Sequence, residues 1–349
     1  MLKKIGLLLV ILALMLSACA APAAPAAAPA AAPAADSSEA APAAPAAPFK
    51  VALIMPSTIT DLSWSQSMYD GLVAVQAEMG GESAMQIAYS ENMFQVTDAA
   101  AAMRDYASEG FNLVIAHGAQ YGNSLFDVAV DFPETSFAWG TTTDTGAEKG
   151  LKNIFAYEPE AHEGGYVNGV VAAMLSKSNI IGVVGPVEAG DAKLYIDGFK
   201  QGVLATKPDA KVNISYTGSF GDTALAAEAA NVHIQAGADV LTGSAQQVVG
   251  AIGVAKDNNI PWLGTQADQS SLAPDMVVMN QIYDWTGTIK DMIAKHNAGT
   301  MGETVYTLTL ANGGQKEVFN PQFTVSDEIK AAADAAVKGI IDGSIVPMP

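Results

Sequence analysis

The chain has 349 residues, half of them of hydrophobic type, and a formal net charge of −19. That length supports two ordinary domains with their own cores. The charge, with no basic patch of any size, argues against nucleic acid and against direct docking to anionic lipid. A single cysteine excludes an internal disulfide.

The chain opens on MLKK, a short positive stretch, followed by IGLLLVILALML. This apolar run is too short to favour a spanning helix over a signal peptide. It ends in Leu16-Ser17-Ala18-Cys19, so residues 1–18 read as a signal peptide. Cys19 sits where the sequence resembles a bacterial lipobox, whose cysteine takes the lipid. A lipidated Cys19 carries no thiol chemistry, which removes cysteine nucleophiles and cysteine metal sites. The remainder of residues 19–48 is rich in alanine and proline. Its prolines block a continuous helix, and it lacks the apolar bulk for a core. It reads as a tether, reaching up to roughly 90 Å at ~3 Å per residue. Loss of the leader removes two lysines and brings the formal charge to −21.

From Phe49 the pattern alternates. KVALIMP reads as a strand, and SMYDGLVAVQAEM as a helix stopped by Gly80 and Gly81. The loop between them, STITDLSWSQ, carries a tryptophan near its end. AMQIAYSE is a strand, and VTDAAAAMRDYASEG a helix with Thr97 as N-cap and Gly110 as stop. FNLVIAHG, NSLFDVAVDFP, TSFAWGT and NIFAYEPE continue the series, and AHEGGYVNGVVAAMLS is a long helix. From residue 180 the alternation restarts with NIIGVVGP and runs to IPWLGTQA and DMVVMNQIYDW. TGTIKDMIAKHNAG is a helix, and ETVYTLTLANGGQKEVF a strand or hairpin. SDEIKAAADAAVKGIIDG is a terminal helix capped by Ser326, with acidic residues where the helix dipole favours them.

This alternation predicts α/β architecture, with two doubly wound parallel-sheet lobes joined by a hinge. Lobe 1 takes 49–159 plus about 286–320, and lobe 2 takes 160–285. The segment 321–349 is not assigned to either. Three crossings are expected, near 157–162, 282–288 and 310–325. In such sheets ligands bind in the crevice beyond the strand C-termini, and two facing lobes turn that crevice into a closing cleft. The loops after the strands hold Asp61, Trp64, His117, Gln120, Tyr121, Gln246, Gln266 and Asp268. Aromatic faces with amides and carboxylates suit a small neutral ligand that stacks and hydrogen-bonds. Other roles stay open: Asp61 as a loop cap, His117 as a bridge between loop backbones, and Asp268 as an N-cap. There is no G-x-S-x-G, H-E-x-x-H, P-loop or intact Rossmann fingerprint.

These loops and their order resemble the basic membrane protein family of substrate-binding lipoproteins for ABC importers. The resemblance covers Phe49 to the C-terminus. The family's D-x-S-F-N-x-x-x-x-x-G is matched by Asp61-Leu62-Ser63-Trp64-Ser65 running on to Gly71. EGGYVNGVVAAMLSKSNIIGVVG looks like its E-x-x-Y-x-x-G-x-x-A and I-G-x-x-G segments. IDGFKQG, GADVL and the D-Q of GTQADQ also fit. The resemblance implies a type I periplasmic-binding-protein fold, no enzymatic activity and no cofactor or metal. It implies a monomer that hands its ligand to an ABC permease from the outer surface of a membrane.

In this family the aromatic of the first loop stacks on the ligand's ring, and Trp64 takes that place, with Ser63 and Ser65 beside it. Two departures matter. Ser65 replaces an asparagine, and VVMNQIYDW lacks the lysine that holds ribose hydroxyls in purine-nucleoside receptors. Tyr283 and Trp285 bring ring surface there instead, a feature similar to adenine-type binders. The ligand expected is a purine base, with a nucleoside next. The alternatives are an envelope ligand sensor, or a receptor for a flavin or a sugar-like signal.

Overall fold

A computed structural model describes residues 47–348. The signal peptide, Cys19 and nearly all of the tether lie outside the described residues. The described chain forms twelve strands and nine α-helices. In order they are β1 (Phe49–Ile54), α1 (Trp64–Met79), β2 (Met85–Ser90), α2 (Val96–Ser108), β3 (Leu113–His117), α3 (Gly122–Ala129), β4 (Ser136–Gly140) and β5 (Ile154–Pro159). Then come α4 (His162–Leu175), β6 (Ile180–Gly185), α5 (Gly190–Thr206), β7 (Lys211–Tyr216), α6 (Thr223–Gln235), β8 (Val240–Gly243), α7 (Val248–Asp257) and β9 (Trp262–Gly264). The last are β10 (Val277–Tyr283), α8 (Thr286–Asn297), β11 (Val305–Leu308), β12 (Gln315–Phe319) and α9 (Asp327–Ile341).

The strands form two six-stranded sheets, ordered β11-β5-β4-β3-β1-β2 and β12-β10-β9-β8-β6-β7. Every pairing in the first is parallel. The second is parallel except for β12, which runs antiparallel to β10. Central strands are covered on both faces, which is why Ala52-Leu53-Ile54 and Val114-Ile115-Ala116 read as unbroken apolar runs. In each sheet the strand order reverses at the first strand laid down, between β2 and β3 around β1 and between β7 and β8 around β6. The loops that follow these strands part there and leave a crevice.

The chain passes between the sheets at 160–161, 284–285 and 309–314. Side chains tie these crossings together. Gln281 Nε2 donates to the Ala161 carbonyl (3.1 Å) and to Gln315 Oε1 (2.6 Å). Gln315 Nε2 donates to the carbonyls of Glu160 (2.8 Å) and Leu308 (2.7 Å). The Asp284 N–H donates to the Gly314 carbonyl (2.8 Å).

The third crossing corrects two expectations. Residues 305–319 are not a hairpin, because β11 joins the first sheet and β12 the second. The stretch 286–320 is therefore divided, with α8 packed on α1 and β12 in the other lobe. Asn312 shapes the turn that separates them, accepting from the N–H groups of Thr309 and Gly314. The C-terminal helix α9 packs on α4, on the side of the second sheet. Ser326 caps it as expected, accepting from the Ile329 N–H. Thr97 is not the cap of α2, which starts one residue earlier with Gln95 at the N-cap and no side-chain bond.

Helices α4 and α5 meet backbone to backbone. Gly165 and Gly169 on α4 face Gly198 and Gly202 on α5, each pair one turn apart. A Cβ on Gly169 would collide with the Phe199 carbonyl, and one on Gly202 with the Tyr166 carbonyl. Gly169→Ala is therefore expected to cost about 3 kcal/mol, the upper range for overpacking. Gly253→Ala, on α7 with nothing within 4 Å of an added Cβ, is expected to stabilise by up to about 1 kcal/mol. Urea denaturation of the two variants checks the contrast; equal midpoints would contradict it.

Candidate functional site

The site begins with Asp61. Its carboxylate accepts from the N–H groups of Ser63 (3.0 Å), Ser65 (3.2 Å) and Gln66 (3.0 Å). Three otherwise orphaned donors are thereby satisfied, and α1 starts at Trp64 rather than beyond it. The tryptophan read as a loop residue is thus the first residue of a helix. Burial pushes the Asp61 carboxyl above its usual range, and the bonds from Gln66, Ser63 and Ser65 oppose that shift. Asp61 serves the backbone and does not line the cavity described below.

Trp64 is held from two directions. Its Nε1–H donates to the His117 carbonyl (3.0 Å), and His117 Nε2–H donates to the Trp64 carbonyl (3.0 Å). The two rings stack, 4.0 Å between centroids and 3° from parallel. His117 Nδ1 then accepts from the Tyr157 hydroxyl (2.8 Å), which fixes a neutral tautomer. Burial lowers the His117 pKa to about 3, with the bond to the Trp64 backbone opposing. Tyr283 and Trp285 meet Trp64 at right angles, with centroids 6.1 and 5.6 Å away. Trp285 is fully buried and donates to Ser67 Oγ (3.0 Å). These rings form a platform behind Trp64, which keeps 6% of its surface exposed.

In front of this platform lies a cavity of about 500 Å³ between the lobes. Lobe 1 contributes Pro56, Trp64, Phe94, Gly118, Gln120 and Thr141. Lobe 2 contributes Val187, Asp191, Phe220, Ala245, Gln246 and Gln266. The loops after β1, β3, β6 and β8 all reach it, as the two strand-order reversals require. Ala245 and Gln266 have positive φ (69° and 71°), as does Leu62 (51°) beside Trp64. Non-glycine residues in that region mark strain held in place by their surroundings. At the mouth, an added Cβ on Gly221 would lie 3.5 Å from Phe94 Cζ, so the loops after β2 and β7 come close across the lobes.

One polar chain crosses the cavity floor. Ser63 Oγ of lobe 1 donates to Gln266 Oε1 of lobe 2. Gln266 Nε2 donates to Asp191 Oδ2 (3.0 Å), which also accepts from the Tyr283 hydroxyl (3.3 Å). Beside it, Gln269 Nε2 donates to the Leu62 carbonyl (3.2 Å), a second bond between lobes. Burial raises the Asp191 pKa above the usual carboxylate range, and the bonds from Gln266, Tyr283 and nearby backbone N–H groups oppose it.

Of the residues expected here, Trp64, Gln120, Gln246 and Gln266 line the cavity. Ser63, His117, Tyr283 and Trp285 support those that do. Ser65 Oγ accepts from the Ser57 N–H (3.3 Å), and Tyr121 is buried with its hydroxyl donating to the Met93 carbonyl (2.8 Å). Asp268 is a correction. It is exposed, accepts from Ser270 N–H (2.9 Å) and Asn280 Nδ2 (3.1 Å), and closes its own turn away from the cavity. The carboxylate on the wall is Asp191, which sequence reasoning passed over, as it did Phe94, Phe220 and Thr141. Among the described residues no group of three His, Cys, Asp or Glu could hold a metal ion. No helix among them is long and apolar enough to cross a membrane.

The profile of the family described as "Bmp: ABC transporter substrate-binding protein PnrA-like" matches residues 49–348. The chain belongs to the Bmp family. It is thus a substrate-binding protein of an ABC transporter, with a small-molecule ligand and a permease partner. It is 26% identical over 298 residues to a purine-binding protein of Brucella abortus, covering 85% of this chain and 82% of that one. It is 26% identical over 321 residues to the nucleoside-binding protein BmpA of Lactococcus lactis, covering 85% and 88%. It is also 26% identical over 262 residues to a transcriptional activator of Bacillus subtilis, covering 74% and 79%. A solute-binding protein of Conexibacter woesei superposes with a TM-score of 0.70 at 23% identity, covering 86% of this chain and 98% of that one. One from Aeropyrum pernix gives 0.72 at 17%, covering 86% and 93%. These two likenesses establish the type I periplasmic-binding-protein fold.

Because the folded state keeps His117 neutral down to about pH 3 while an unfolded histidine protonates near 6.5, acid favours unfolding through this group. Its contribution is complete above pH 6.5 and is lost as pH falls toward 3, at up to about 1.4 kcal/mol per pH unit. Urea midpoints between pH 7 and 4 are expected to fall less steeply in His117→Gln than in the native protein. Parallel slopes would contradict the buried neutral imidazole.

Proposed function

We propose that this protein is the receptor of an importer for a purine base, with purine nucleosides as the next class. The observation that carries the reading is Trp64, presented to the cavity with a ring stacked behind it and its indole pinned by a backbone carbonyl. An aromatic face fixed in this way binds another flat ring at little entropic cost. Phe94 and Phe220 add apolar surface on opposite lobes, and amides from Gln120 and Gln246 offer hydrogen bonds. A volume of about 500 Å³ lies in the usual range of small-ligand sites and leaves room for a nucleoside. Among the described residues no lysine or arginine lines the cavity, which disfavours phosphorylated ligands. The names of the Brucella and Lactococcus relatives agree with this reading. Closure follows from a ligand that touches both lobes.

In this reading the protein works outside the cytoplasmic membrane as a monomer, anchored through lipid on Cys19 and held off the surface by the Ala/Pro-rich tether. Cys19→Ser is expected to move it from the membrane to the soluble fraction after cell breakage; unchanged partitioning would refute the anchor.

Isothermal titration of the detergent-purified full-length protein with adenine, adenosine, guanosine, riboflavin and ribose tests the ligand. Adenine or a nucleoside is expected to saturate the site without forming product, and Trp64→Ala to weaken binding by tenfold or more, with Trp64→Phe intermediate. A response to ribose or riboflavin but to no purine would overturn the ligand assignment.

A further inference from the structure

Among the described residues that line the cavity, Asp191 is the only charged one, and it is 9% exposed. It stands in the first turn of α5, where the helix dipole and the nearby N–H groups of Asp191 and Ala192 favour a carboxylate. Two donors, Gln266 Nε2 and the Tyr283 hydroxyl, converge on its Oδ2. Neither donor can readily turn away. Gln266 is oriented by Ser63, whose hydroxyl donates to its other end. Tyr283 is 4% exposed and packs against Trp64 and Trp285. Among the described residues no side-chain donor reaches its Oδ1, and Asp191 lines the cavity. Gln246 Oε1, on the same wall, is buried with no hydrogen-bond partner among the described residues.

A carboxylate held by donors on one oxygen is an acceptor on the other. A ligand group facing it must donate, because an acceptor there would leave both groups buried and unpaired. Resting on the purine reading above, we propose that Asp191 is the specificity-determining residue of the site and accepts a hydrogen bond from the exocyclic amino group of a 6-aminopurine. A 6-oxopurine in the same pose sets its carbonyl oxygen against the carboxylate and is rejected. Gln246 offers a second acceptor for an amino group, since a carboxamide can pair with an amino group and an adjacent ring nitrogen together.

The substitution Asp191→Asn tests this. Both fixed donors remain aimed at the Oδ2 position, so the asparagine oxygen settles there and its amide nitrogen faces the cavity. The site then donates where it accepted. Titration calorimetry of the full chain with adenine against hypoxanthine, and adenosine against inosine, reads the result. The native protein is expected to favour the amino member of each pair by about tenfold or more, and Asp191→Asn to reverse the order. Equal affinity for adenine and hypoxanthine in the native protein overturns the proposal without needing any variant. Adenine preference retained in Asp191→Asn, with a melting temperature no lower than native, also overturns it, while the purine reading stands. No binding of any purine by the native protein removes both.

Discussion

The reciprocal hold between Trp64 and His117 is the interaction on which the site depends. Each residue donates a ring N–H to the other's main-chain carbonyl, and the rings stack between those two bonds. One residue opens α1, at the end of the loop after β1, and the other ends β3, two strands that pair side by side. The hold therefore joins the two halves of the first sheet's crevice. The imidazole in this hold is neutral, because complete burial of His117 outweighs the bond to the Trp64 carbonyl, which favours the charged form. Tyr157 then completes the ring's second nitrogen, so the platform is satisfied within the protein and nothing behind Trp64 calls for water.

Much of this architecture is legible in the sequence. The twofold βα alternation, the glycine stops at Gly80 and Gly110, the Ser326 cap and the first two crossings follow from local chemistry. So does the set of loops that carries the site, because strand C-termini in an open α/β sheet lead there whatever their sequence. Which side chain in a loop turns inward is a different matter. In GTQADQ the acid Asp268 is the obvious ligand, yet the left-handed backbone at Gln266 points the amide inward and leaves Asp268 to close an exposed turn. No periodicity signals a left-handed non-glycine residue.

Asp191 is hidden for the opposite reason. An acid in the first turn of a helix reads as a dipole partner, and it is one; that α5 begins on the cavity wall is known only once the second sheet is assembled. Trp64 shows a third kind of limit. The polar run before α1 looks like loop until Asp61 gathers three N–H groups and brings the helix start forward. The exchange of β11 and β12 between sheets is likewise invisible locally, since a turn such as LANGGQ serves a hairpin equally well.

The three crossings have a mechanical consequence. Two bodies joined by one strand can twist, bend and swing freely. Here three segments lie side by side, and Gln281, Gln315 and Asp284 bind each to its neighbours. Torsion of one lobe against the other would shear those bonds, whereas bending about the line through the crossings leaves them largely intact. The topology thus removes degrees of freedom before any ligand arrives. The direction in which the lobes part belongs to the backbone, and the ligand decides only how far along it they rest.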